Sequence, residues 1–232
     1  MKNRENKLIL YHGSEKIIDK PELGLGRNNN DYGQGFYCTK SIELAREWAV
    51  SSEEDGFANR YEINTLGMNI LNLNSEDYTI LNWVATLVMN RRVRAMTPVA
   101  GKAIKYLQEN FAVNVNAYDI IIGYRADDAY YDFADAFLNN GLSVEQLAQA
   151  MKLGKLGEQV VLKSAFAFNE LKFIGAESAP CREYFPRRKS RADGANEAFN
   201  KMGFDEKGLY MNEIIAKKIT NDDKRIPRNI SE

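Results

Sequence analysis

Apolar positions in this chain alternate with polar ones over short runs and recur at three- to four-residue spacing over longer ones, so strands and helices are both expected. Leu8-Ile9-Leu10-Tyr11 is a short apolar run closed by His12-Gly13-Ser14, which predicts a buried strand ending in a turn. Pro21 to Gln34 holds three glycines and three asparagines and predicts a mobile loop with several positions suited to positive φ. Gly35-Phe36-Tyr37-Cys38-Thr39 predicts a second short strand. Ser41 then caps a helix whose apolar face is Ile42, Ala45, Trp48 and Ala49.

Further along, residues 61–64 and 70–73 alternate on either side of Gly67 and predict a pair of half-buried strands. Helical stripes run over about 78–93 and about 99–111. Residues 118–124 form the most strand-like run, followed by an aromatic-rich helix over 129–138, where Tyr130, Tyr131 and Phe133 are expected in the core or at an interface. Ser143-Val144-Glu145-Gln146 matches a capping box and opens a helix expected to end near Gly154. Residues 158–163 and 171–175 predict two more strands, and 182–218 a charged helical region. Crossover helices do not follow every strand, so a doubly wound parallel sheet is not expected, and the pattern predicts an α+β fold. One domain over residues 1–219 is expected, with a loose tail over 220–232 that lacks apolar periodicity.

Composition changes little. Hydrophobic residues are 44% and charged residues 27%, the balance of an ordinary folded domain. The net charge of −1 gives no sign of nucleic-acid binding, and the basic run Arg187-Arg188-Lys189-Ser190-Arg191 is short enough to be a solvated helix face. Cys38 and Cys181 lie far apart without metal-ligand spacing, which argues against zinc and disulfides and fits a reducing, cytoplasmic compartment. No signal peptide or membrane span is read from the chain, so no membrane partner is expected.

The chemistry concentrates near the start. The stretch Leu10-Tyr11-His12-Gly13-Ser14, then Gly35-Phe36-Tyr37-Cys38-Thr39 and the helix beginning at Ser41, resembles the NAD-binding half of diphtheria-toxin-like and poly-ADP-ribose-polymerase-like transferases. Adding Gly26-Arg27, Asp31-Tyr32-Gly33 and Trp48-Ala49, the pattern resembles the bacterial family catalogued as domain of unknown function 3990. The resemblance implies an ADP-ribosyltransferase-like split β-sandwich with helical insertions and a helical C-terminal region. It implies NAD as substrate, a protein or nucleic-acid acceptor, and a toxin partnered with an antitoxin.

By the same resemblance, His12 and Tyr37 fall on the first two positions of a His-Tyr-Glu triad. Trp48 closes the nicotinamide slot opposite Tyr37, and Ala45 lies one turn before it. Gly13 lets the backbone approach the nicotinamide amide, Ser14 adds a polar contact, and Arg27 on the glycine-rich loop contacts phosphate. The loop itself is a candidate lid. The third position is open between Glu158 and Gln159, because a shift of one residue exchanges which side chain faces the cleft. Asp127 and Asp128 are the substitutes, or alternatively cap the helix that follows. Two rivals stand beside transfer: NAD hydrolysis, and a non-catalytic NAD-binding or interaction protein that keeps the fold.

Overall fold

The computed structural model describes residues 6–91, 97–126, 128–153 and 157–229. Its strands are β1 (Lys7–Ser14), β2 (Phe36–Cys38), β3 (Gly56–Asn64), β4 (Ile70–Asn72), β5 (Ile120–Tyr124), β6 (Glu158–Leu162) and β7 (Leu171–Ala179). Its helices are α1 (Ile42–Ala49), α2 (Ile80–Asn90), α3 (Pro98–Asn110), α4 (Asp128–Leu138), α5 (Val144–Ala150), α6 (Ala165–Asn169), α7 (Cys181–Asn200) and α8 (Met211–Ala216). The fold class is therefore α+β.

Two sheets are present, in the orders β1-β3-β7 and β2-β6-β5-β4, antiparallel throughout except where β4 runs parallel to β5. Between them lies a core of Leu10, Ile63, Cys38, Ile120, Ile122, Val160 and Leu162. The other face of the four-stranded sheet carries Ile121 and Val161 into a larger core built on α2, whose residues Ile80 to Val88 are all buried. Burial on both sides explains why β5 is a continuous apolar run rather than an alternating one. The capping box at Ser143 forms as expected, with Ser143 N–H on Gln146 Oε1 at 3.0 Å and Gln146 N–H on Ser143 Oγ at 3.1 Å.

Several expectations are corrected. β1 does not stop before His12 but runs on to Ser14, because His12, Gly13 and Ser14 pair with Asn59, Ala58 and Phe57 of β3. Residues 61–64 and 70–73 do not pair with each other: β3 lies between β1 and β7, and β4 joins β5 in the other sheet. The glycine-rich loop is fixed at its far end, where Asp31, Tyr32 and Gly33 are buried. The tail is docked as far as Asn229, whose side chain donates to the Leu73 carbonyl at 2.6 Å, with Ile226 2% exposed beneath it. The basic run of α7 is not a free solvated face either. Arg187 pairs with Glu43 at 2.9 Å, and Arg191 grips the buried Glu47 through two hydrogen bonds of 2.8 and 3.0 Å, clamping α7 onto α1. No described helix is long and apolar enough to cross a membrane.

Candidate functional site

The two sheets meet where β1 touches the end of β2, and then part. Tyr11 N–H donates to the Thr39 carbonyl at 2.8 Å and Thr39 N–H returns to Tyr11 at 2.9 Å. Backbone groups alternate in direction along a strand, so Gly13, two residues on, presents its N–H and C=O toward the same side. There the partner chain has already turned into α1, which leaves a backbone donor and acceptor on an open edge.

His12 points the other way from the Gly13 α-carbon, into the space between the sheets. Its ring stacks on Phe36 at 4.3 Å between centroids, inclined 28°. Its Nδ1 lies 2.7 Å from the Tyr37 carbonyl oxygen. A carbonyl only accepts, so Nδ1 carries the hydrogen and, in the neutral ring, Nε2 is left as an acceptor. Burial lowers the His12 pKa below its ordinary value, only partly offset by the bond to the Tyr37 carbonyl. The neutral, Nδ1-protonated ring is thus the resting form.

Gly13 serves packing as well as the open edge. A Cβ there would lie 2.0 Å from the Ala45 carbonyl oxygen, and one on Gly56 would lie 2.2 Å from the Ala49 carbonyl oxygen. The missing side chains of β1 and β3 therefore make the seat on which α1 rests. Ala45 is wholly buried in that seat and does not line an open slot. Ser14 is likewise committed: its Oγ donates to the Lys16 carbonyl at 2.6 Å and accepts from Asn59 at 2.9 Å. Asn59, fully buried, also receives the Ile18 N–H at 2.9 Å and so ties down the turn after β1.

Tyr37 faces away from His12. On β2 it opposes Val161, whose side chain packs in the helical core, whereas Phe36 packs between the sheets. Its hydroxyl donates to the Gly33 carbonyl at 2.6 Å and accepts from the Tyr32 N–H at 3.1 Å. The phenol is buried by this arrangement and its pKa is raised. Tyr32 in turn lies across β5, where a Cβ on Gly123 would be 2.2 Å from its hydroxyl, and donates to the Tyr124 carbonyl at 2.6 Å.

Trp48, on α1, is covered by the guanidinium of Arg125 at 4.3 Å from the ring centroid. Its indole Nε1 is buried with no hydrogen-bond partner among the described residues. Strand alternation now separates Glu158 from Gln159. Gln159 opposes Gly123 and shares the Tyr37 face, 5% exposed, with Oε1 unpartnered among the described residues. Glu158 shares the His12 and Phe36 side and accepts from Lys40 Nζ at 3.0 Å and Asn74 Nδ2 at 3.2 Å. Asp127 lies outside the described residues, and Asp128 opens α4. Arg27 is apart from all of these, beside Asn29, Asn30, Arg91 and Tyr131.

His12, Tyr37, Gly13, Trp48, Glu158 and Gln159 thus gather where the two sheets diverge, but on two faces rather than one. Sequence reading missed Phe36, Asn59 and the Arg125 cover. Phe36 stood beside Tyr37, and strand alternation alone dictates that only one of the two can face His12. Asn59 lies in a strand that also carries Arg60, Glu62 and Asn64, so nothing in the sequence sets it apart.

No curated protein and no solved structure matches the chain. The family model described as protein of unknown function (DUF3990) matches residues 8–173, which takes in β1, β2, α1 and β6 and ends inside β7. With the match spanning most of its length and every residue of the site described above, the chain belongs to the DUF3990 family.

Proposed function

We propose that the chain binds NAD where β1 and β2 diverge and transfers its ADP-ribose group to a macromolecular acceptor, a protein side chain or a nucleic acid. The observation that carries this reading is a set of unanswered polar groups on the elements that border the divergence of the two sheets. The open Gly13 edge, Trp48 Nε1 and Gln159 Oε1 offer donors and acceptors without protein partners among the described residues. Leaving buried polar atoms unmet costs about 1–3 kcal/mol each. A planar carboxamide, which both donates and accepts, answers such a set, and nicotinamide carries one.

Transfer breaks the bond between nicotinamide and ribose; nicotinamide leaves with the bonding pair, and the acceptor supplies a lone pair to ribose and gives up a proton. The sugar passes through an oxocarbenium-like cation. In this reading His12 Nε2 accepts from a ribose hydroxyl, and the Glu158 carboxylate supports the positive charge from the same side. Tyr37 acts through its main chain, by fixing the His12 tautomer, and through its hydroxyl, by holding the loop at Tyr32 and Gly33.

A second reading, a non-catalytic NAD-binding protein, is favoured by one feature: the buried residue on the Tyr37 face of β6 is an amide, and the acid next to it in the chain is paired with Lys40. Calorimetry with NAD, followed by assay for free nicotinamide and labelled macromolecule, separates the readings. Binding with release of nicotinamide and labelling supports transfer, release without labelling supports hydrolysis, and binding without release supports the second reading. No binding at millimolar NAD overturns all three.

A further inference from the structure

We propose that the cavity of about 240 Å³ lined by Arg27, Asn29, Asn30, Arg91 and Tyr131 is a binding site for a diphosphate group. Every one of these side chains carries a hydrogen-bond donor, and two are guanidiniums, which accept nothing. Two guanidiniums and two carboxamides exceed what the two oxygens of a carboxylate can use, and match the oxygen-rich surface of linked phosphates.

The site is built rather than incidental. Arg91 Nε lies 2.9 Å from Asp31 Oδ1, and Asp31 Oδ2 accepts the Ala126 N–H at 2.8 Å. The carboxylate is 5% exposed and the guanidinium 29%, so the acid is sunk in the protein while the cation reaches the cavity. The head group also lies 5.5 Å from the centre of the Tyr131 ring, which limits its rotation. Burying an ion pair is a costly way to fasten a loop, and its consequence here is a cation held in one orientation at the cavity wall.

Arg27 is mounted from the other side. Gly26 packs so closely on Gly35 that a Cβ would be 2.6 Å from its carbonyl oxygen, and the Gln34 side chain donates to the Gly26 carbonyl at 3.2 Å. The segment carrying Arg27, Asn29 and Asn30 is thereby pinned at Gly26 and at Asp31. Asp132 and Asp135 also act on Tyr131, so the site is distinguished by its two guanidinium forks rather than by net charge. The cavity lies on the Tyr37 side of the four-stranded sheet and stands whether or not the nucleotide reading holds.

Titration of the full chain with inorganic diphosphate, inorganic phosphate and NAD tests the assignment. Diphosphate is expected to bind more tightly than phosphate, and Arg27→Gln, on the loop surface, to weaken it at least tenfold. Arg91→Lys keeps the charge but loses the fork and is expected to weaken it comparably, while Lys105→Gln on α3 controls for loss of general charge. Diphosphate binding unchanged by Arg27→Gln and Arg91→Lys, or lowered equally by Lys105→Gln, overturns the proposal. Diphosphate binding that depends on Arg27, in a chain that does not bind NAD, supports the pocket and overturns the nucleotide reading. NAD binding with no diphosphate site does the reverse.

Discussion

The guanidinium of Arg125 lies 4.3 Å above the ring of Trp48. A planar cation on an indole face is worth about 0.5–2 kcal/mol, and the pyridinium of oxidised NAD is also a planar cation. Arg125 therefore holds the surface that such a ligand would use, and must swing aside before the ring can stack. Arg125→Ala is expected to raise NAD affinity several-fold, read by calorimetry and by quenching of Trp48 emission, with Trp83, 1% exposed, contributing a constant background. A loss of affinity would mean that Arg125 contacts the ligand directly instead of guarding the ring.

The glycine seat under α1 makes a stability prediction. Gly13→Ala and Gly56→Ala each push a methyl into an α1 carbonyl, at 2.0 and 2.2 Å, and backbone cannot give way as a side chain does. Overpacking of this kind costs about 1–3 kcal/mol, or several degrees of melting temperature. Because both substitutions displace the same helix, the double variant should lose less than the sum. Gly194→Ala in α7, where a Cβ meets nothing within 4 Å, should instead be neutral or stabilising. Equal effects at the three positions would show that α1 does not rest on the strands as described.

His12 is the single histidine of the chain, so titration near neutrality can be assigned to it. Its folded pKa lies below the ordinary value of 6.5 because burial penalises the charged ring. Above that value neither state is protonated and stability does not change on this account. As pH falls from 6.5 toward the folded pKa, the unfolded chain takes up the proton first, and stability is lost. Chemical unfolding of wild type against His12→Gln from pH 7.5 to 5 should show an advantage for the wild type that shrinks below pH 6.5. An advantage that is flat with pH would contradict the buried, neutral ring.

Much of the fold was legible because periodicity is local. The capping box at Ser143, the strand at β5 and the helix after Ser41 all follow from residues within one or two turns of each other. What was not legible depended on partners far along the chain. His12 was expected in a turn because Gly13-Ser14 follows it; pairing with residues 57–59 keeps it in a strand. Asp31 sits in a polar, glycine-rich stretch that looks mobile, yet Arg91 and Ala126 bury it. Tyr37 was expected to face the slot with Trp48, but pairing with Val161 turns its ring to the helical core and gives the place against His12 to Phe36.

The same alternation decides how Glu158 and Gln159 should behave. Glu158 is partly exposed and shares its charge with Lys40, whose side chain is 49% exposed, so Glu158→Gln should cost no more than about 1 kcal/mol of stability. If its carboxylate supports the sugar cation, the same substitution should lower nicotinamide release at least tenfold, about 1.4 kcal/mol. Gln159 is 5% exposed on the opposite face, so Gln159→Glu buries a carboxylate. Burial raises the folded pKa of such an acid above its unfolded value of about 4.3, and stability then falls as pH rises past that point. The Gln159→Glu protein should accordingly melt near the wild-type temperature at pH 4 and well below it at pH 7, while Glu158→Gln shows no such divergence. Full turnover in Glu158→Gln together with its loss in Gln159→Ala would move the third position to the amide, on the Tyr37 face of the sheet.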